Sequence, residues 1–143
     1  GSAYGGGTDL AMACDFRIGV RGSRLFMPAA KFGLHYYPGG LRRFVTKLGP
    51  CATKKIFMTA QTLDADELLR IGFLTELVEP QDLQAKVNAY VGSLRECESS
   101  VVRSMKAHID GLAAGTWDEA RGRLEYERSL RSESLRARLA GLR

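Results

Sequence analysis

The chain has 143 residues, a net charge of +5 and a hydrophobic share of 45%. That length builds one core of ordinary size, and no apolar run of about 18 residues is present to span a membrane. Cys14, Cys51 and Cys97 are odd in number and widely spaced, which argues against a disulfide framework and gives no metal-ligand spacing.

In chain order, the first feature is a run of three glycines, Gly5 to Gly7, leading into "TDLAMAC", a short helix over Thr8–Cys14. Asp15 ends it, Phe16–Val20 reads as a strand, and "RGS" turns the chain. "RLFMP" is a second short strand stopped by Pro28, followed by an aromatic and glycine-containing loop, "AAKFGLHYYPGG". Leu41–Leu48 forms a helix ended by Gly49-Pro50, and Ala52–Met58 resumes it. Asp64 caps the next helix, with Glu67 placed to complete a capping box and Gly72 to end it. Phe73–Val78 is a strand. A helix after Pro80 then carries Leu83, Val87, Tyr90, Val91 and Leu94 on one face.

A further helix over Val101–Ala114 places Val102, Met105, Ile109 and Leu112 together. Thr116 and Glu119 offer a second capping box before a tail rich in arginine and glutamate, with Leu124, Leu130, Leu135, Leu139 and Leu142 as its thin apolar face. That face is either solvated and laced by i,i+4 pairs or packed on another subunit. Strands are few and lie in the first half, too few for a self-sufficient sheet. The basic surface carries no interleaved basic and aromatic platform, so nucleic acid is not an expected partner.

The glycine run admits two chemistries. Glycine permits positive φ and close backbone approach, and a helix starting just behind it presents unpaired amides to an anion. A phosphate is one such anion, and an enolate oxygen in an oxyanion hole is another. The spacing fits neither a P-loop nor G-x-G-x-x-G. Asp9 is either a first-turn carboxylate complementing the helix dipole or an acid/base beside a substrate carbonyl.

"GSAYGGGTDLAMACDFRI" resembles the G-x-A-x-G-G-G-x-[ED]-L-A-x-A-C-D signature of the crotonase (enoyl-CoA hydratase/isomerase) superfamily. "RLFMPAAKFGLHYYPGGLRRFVTKLG" and "KKIFMTAQTLDADELLRIGFLTELVEPQDL" resemble its next two segments in the same order, so the resemblance covers residues 1 to about 95. It implies an α/β fold, a spiral of ββα units, whose C-terminal part occupies residues 1–95. A helical trimerisation region follows over residues 96–143. It also implies an enzyme acting on a coenzyme A thioester as substrate, with no other cofactor, no metal, no membrane partner, a cytoplasmic location and a homotrimer or pair of trimers. The chain is expected to be the C-terminal portion of such an enzyme.

By the same resemblance the Gly6 amide is one of two oxyanion donors, the other lying in an earlier segment, and Gly5, Gly7, Pro28, Ala29 and Tyr37 are substrate-binding residues, the glycines also letting the chain turn. Asp9 stands at the first catalytic carboxylate. Pro28 matches the proline that precedes the second glutamate of hydratases, and here the next residue is Ala29, which transfers no proton. Double-bond isomerisation is therefore expected over hydration. Two other readings stay open: a decarboxylase-type member, with Tyr36 as a polar clamp, and a non-catalytic acyl-CoA-binding protein. His35, an imidazole able to carry protons near neutrality, and Tyr36 are further catalytic candidates, and Tyr37, near the second aspartate of dienoyl-CoA isomerase-like members, lines the pocket. Arg43 falls near the family's common arginine and is read as anchoring the loop. Lys54, Lys55 and the tail arginines are candidates for CoA phosphates. Cys14 is read as a small buried residue and Trp117 as packing.

Overall fold

The computed structural model describes residues 1–141, so the place of Leu142 on the tail's apolar face lies outside the described residues. The chain divides into two compact units, one from Gly1 to Ala89 and one from Tyr90 onward.

The first unit is α/β. β1 (Ala3–Tyr4) pairs in parallel with β3 (Arg24–Phe26), placing Ala3 opposite Leu25. β3 pairs antiparallel with β4 (Leu63–Asp64) on its other side. A separate parallel pair joins β2 (Ile18–Val20) to β5 (Glu76–Val78). Strands of two and three residues cannot hold themselves together, and helices supply what they lack. These are α1 (Gly6–Ala13), α2 (Pro38–Thr59) and α3 (Ala65–Arg70). Met12 from α1, Leu25 and Met27 from around β3, Phe44, Ile56 and Phe57 from α2, and Leu68 and Phe73 from α3 and its exit form one cluster. Phe44 is wholly buried and meets Phe57 edge-on at 4.9 Å between ring centres. Burying one such side chain contributes about 1.5–3 kcal/mol.

The breaks follow the local chemistry. α2 runs across Gly49, whose φ of 75° and ψ of 169° are not helical, so Pro50 begins a second helical stretch. Asp64 accepts the Glu67 amide as the α3 cap. The Glu67 carboxylate does not complete the expected box with the Asp64 backbone. It turns to Lys55 of α2 at 2.5 Å and to Arg70 at 2.6 Å, because two cations outbid one amide. The hydrogen bonds from Arg70 and Lys55 hold the Glu67 carboxyl at about 2, below its ordinary value. A depressed folded-state value means that its contribution is present above about 4.5, the unfolded value, and is lost as pH falls through about 2. Thermal melts across that window should therefore lose stability on acidification, and Glu67→Gln should flatten that part of the curve. A variant with the same acid slope as the parent would remove Glu67 as the cause.

Arg17 ties two distant segments. Its guanidinium donates to the Cys14 carbonyl at 2.8 Å, to the Gly72 carbonyl at 3.3 Å and to the Phe73 carbonyl, while its own amide donates to Thr75 Oγ1 at 3.1 Å. Burial lowers Arg17 from its ordinary value. Cys14 itself is exposed, not buried, with its Sγ turned back to the Leu10 carbonyl. It sits at the end of α1 on the solvent side, where the helix stops before its next inward position.

The unit division falls within α4 (Leu83–Glu96), between Ala89 and Tyr90. The second unit is helical: α5 (Ser99–Ala114), α6 (Glu119–Leu130) and α7 (Glu133–Ala140). The cap of α6 is Asp118, which accepts the Arg121 amide, so Thr116 does not serve as the expected cap. A carboxylate placed immediately before the first turn is a stronger acceptor there than a hydroxyl two residues earlier. Trp117 packs edge-on against His108 at 4.8 Å. Met105, Ile109 and Leu112 of α5 are each more than half exposed, as are Leu124, Leu130 and Leu139. Among the described residues no helix is long and apolar enough to cross a membrane.

Candidate active site

The site begins with one backbone angle. Gly5 has φ 50° and ψ −122°, a combination closed to residues with a Cβ, and it stands as the cap of α1. Its own amide donates to the Phe26 carbonyl at 3.0 Å, which pins the loop to the end of β3. Thr8, fully buried, closes the turn: its amide and its hydroxyl both donate to the Gly5 carbonyl, at 3.1 Å and 2.6 Å. The amides of Gly6 and Gly7 belong to the first turn, ahead of any acceptor inside the helix. Both residues are exposed, and nothing lies within 4 Å of where a Cβ would stand on either. The sequence thus builds a helix start that is exposed and open where side chains would stand.

Asp9 follows Gly6 by three positions and so lies on the same helix face, one turn along. Both of its oxygens are engaged. Arg43 Nη1 donates to Oδ1, and the Tyr37 hydroxyl donates to Oδ2. Arg43 Nη1 also lies 3.5 Å from Tyr37 Oη, closing a triangle of three side chains. The hydrogen bonds to Tyr37 and then to Asp9 raise Arg43 above its ordinary value, so it stays a cation. The Asp9 side chain is 13% exposed and that of Arg43 34%. Tyr37 is 51% exposed.

Tyr36 and Tyr37 stack at 5.0 Å on the segment entering α2, and Tyr36 continues onto Phe57 at 4.8 Å. Gly40 makes that approach possible, because a Cβ there would overlap the Tyr36 ring. Burial, then the Asp9 and Tyr37 charges, raise Tyr36 above its ordinary value, so its hydroxyl stays neutral. Pro28 leads a 3-10 turn over Ala29–Phe32, and Ala29 is 6% exposed, its methyl joined to the core. His35 is exposed, and its Nδ1 lies 2.8 Å from the Tyr36 carbonyl, an arrangement that places the proton on Nδ1. No group of three or more His, Cys, Asp or Glu able to hold a metal gathers among the described residues.

Asp9, Tyr37 and Arg43 are thus brought together, with Gly5 to Gly7 at the start of the same helix. Arg43 is the member that sequence reasoning placed only at the loop. A carboxylate in the first turn of one helix and an arginine 34 positions on give no local spacing signal.

A family model described as enoyl-CoA hydratase/isomerase matches residues 1–134. A crotonyl-CoA hydratase of Syntrophomonas wolfei subsp. wolfei is 36% identical over 107 residues, 75% of this chain and 41% of that protein. A solved enoyl-CoA hydratase/carnithine racemase from Magnetospirillum magneticum superposes with a TM-score of 0.90 at 26% identity, covering 99% of this chain and 53% of its own. A structure from Thermobifida fusca YX, solved in complex with acetoacetyl-CoA, superposes at 0.78 with 31% identity, over 99% of this chain and 52% of its own. The chain therefore spans about half the length of the proteins it matches, or somewhat less.

Proposed function

Since the chain belongs to the enoyl-CoA hydratase/isomerase family, we propose that it forms part of an enzyme that moves a proton on a coenzyme A thioester through an enolate. The observation that carries this is the open helix start at Gly5–Gly7, with an anchored carboxylate, Asp9, one turn along the same helix. The Gly6 amide donates to the thioester oxygen as negative charge develops there, aided by the positive end of α1. Asp9 takes the proton from one carbon and returns it to another. Gly7 and Tyr37 line the approach.

Isomerisation is favoured over hydration. Adding water across a double bond is served by two carboxylates on one water, and the residue after Pro28 is the buried methyl of Ala29. The substrate class is an acyl-CoA, in keeping with the acetoacetyl-CoA complex of the Thermobifida protein. Incubating the protein with 3-enoyl- and 2-enoyl-CoA thioesters, and following both the mass of the products and the absorbance of the conjugated 2-enoyl thioester, tests the reading. Migration of the double bond leaves the mass unchanged and changes that absorbance. A gain of one water identifies a hydratase, loss of carbon dioxide from a carboxyacyl-CoA identifies a decarboxylase, and tight binding without turnover leaves only a binding protein.

Self-association belongs to the same proposal. Met105, Ile109 and Leu112 leave an apolar stripe on α5 that a partner copy would cover, giving a trimer or a pair of trimers. Light scattering should return a multiple of the chain mass, and Ile109→Glu should lower it. A parent protein that elutes as a monomer overturns this.

A further inference from the structure

The triangle of Asp9, Tyr37 and Arg43 raises a difficulty for Asp9 acting alone. An acid/base must reach the carbon whose proton it moves. Both Asp9 oxygens are already hydrogen-bonded, one to Arg43 and one to Tyr37. Its side chain is mostly covered, at 13% exposed, whereas Tyr37 is 51% exposed. The accessible end of the hydrogen-bonded chain is therefore the phenol and not the carboxylate.

We propose that Tyr37 is the residue that meets the substrate, relaying the proton between the acyl carbon and Asp9. The inference rests on the reading of Asp9 as the acid/base. In the forward step the substrate C–H bond breaks and its proton bonds to Tyr37 Oη. In the same step the original Tyr37 O–H bond breaks and that proton bonds to Asp9 Oδ2. The electron pair of the C–H bond moves into the thioester as an enolate, whose oxygen faces the Gly6 amide. The return step runs the two transfers backwards at the second carbon, restoring the Asp9 carboxylate and the Tyr37 phenol. Arg43, 3.5 Å from Tyr37 Oη, stabilises negative charge appearing on that oxygen midway. Arg43 touches no substrate in this scheme and is a positioning residue. The stacking of Tyr37 on Tyr36 holds the ring in the required attitude.

Three measurements on the protein in its full chain test the relay. Tyr37→Phe keeps the stacked ring and removes only the hydroxyl, so kcat for double-bond migration should fall about 10²–10⁴-fold with KM little changed. The double variant with Asp9→Asn should be no slower than the worse single variant, because the two residues act as one unit. In the parent, proton abstraction from an α-deuterated thioester should be slower in heavy water than in ordinary water, since a solvent-derived proton moves in the same step. Parent kcat in Tyr37→Phe, with Asp9→Asn inactive, would overturn the relay and leave Asp9 as the direct base. A slow Tyr37→Phe without the heavy-water effect in the parent would also overturn it, reducing Tyr37 to an orienting role. A parent that turns over no thioester would sink the relay and the proposed function together.

Discussion

Asp9→Asn should lower kcat for enolate-forming chemistry about 10²–10⁴-fold, the range that a positioned acid/base supplies. Asparagine is nearly isosteric, so the packing around α1 survives and substrate affinity should change little. Its carbonyl can still accept from Arg43, but the group facing Tyr37 can no longer take a proton. The effect should fall on kcat and kcat/KM alike, the signature of an interaction made only as the proton moves. Steady-state assays with 3-enoyl-CoA, beside a circular dichroism spectrum to check the fold, decide it. Unchanged turnover would remove Asp9 from the chemistry, and the site would then be a thioester cradle without its base.

Gly5→Ala should damage the site by a different route. A Cβ at position 5 would meet nothing within 4 Å, so no steric clash is involved. The cost lies in the backbone, since φ 50° with ψ −122° excludes an L side chain. Holding alanine there costs about 1–3 kcal/mol. The chain can relieve that strain by rotating, but rotation swings the Gly6 amide off its line, and loss of one oxyanion donor costs about 10²–10³-fold in kcat. The melting temperature and kcat should therefore trade off: a variant that stays stable will be slow. One that keeps both parental stability and parental kcat would show that the Gly6 amide is not the donor.

Part of this was legible in the sequence because its cause is local. The break at Gly49-Pro50, the cap at Asp64 and the stop at Gly72 each depend on one or two residues, and all three stand in the structure. The short strands β1 and β4 were not legible. Two residues carry no periodicity, and Ala3–Tyr4 and Leu63–Asp64 become strands only because both flank β3. The site divides in the same way. The glycine run and Asp9 form a contiguous motif, so they could be read together. The Asp9–Arg43 pair joins two helices, and among 21 lysines and arginines nothing local singles out Arg43. The competing wish of Glu67 for Lys55 and Arg70 over its own helix end is likewise a tertiary matter.

Arg17 has a consequence for the order in which the molecule forms on the ribosome. Helix α1 has eight residues, two of them glycine, and a helix that short is marginal in water without tertiary support. Its end is bound through Arg17 to the carbonyls of Gly72 and Phe73, 55 and 56 positions further on. While the chain grows from its N-terminal end, that clasp is absent until residue 73 has cleared the exit tunnel. The glycine loop, though synthesised before Gly72 and Phe73, thus acquires its lasting shape only after α2 and α3 exist to hold it. The site matures late in synthesis, and a nascent chain stalled before that point would carry its motif without its geometry.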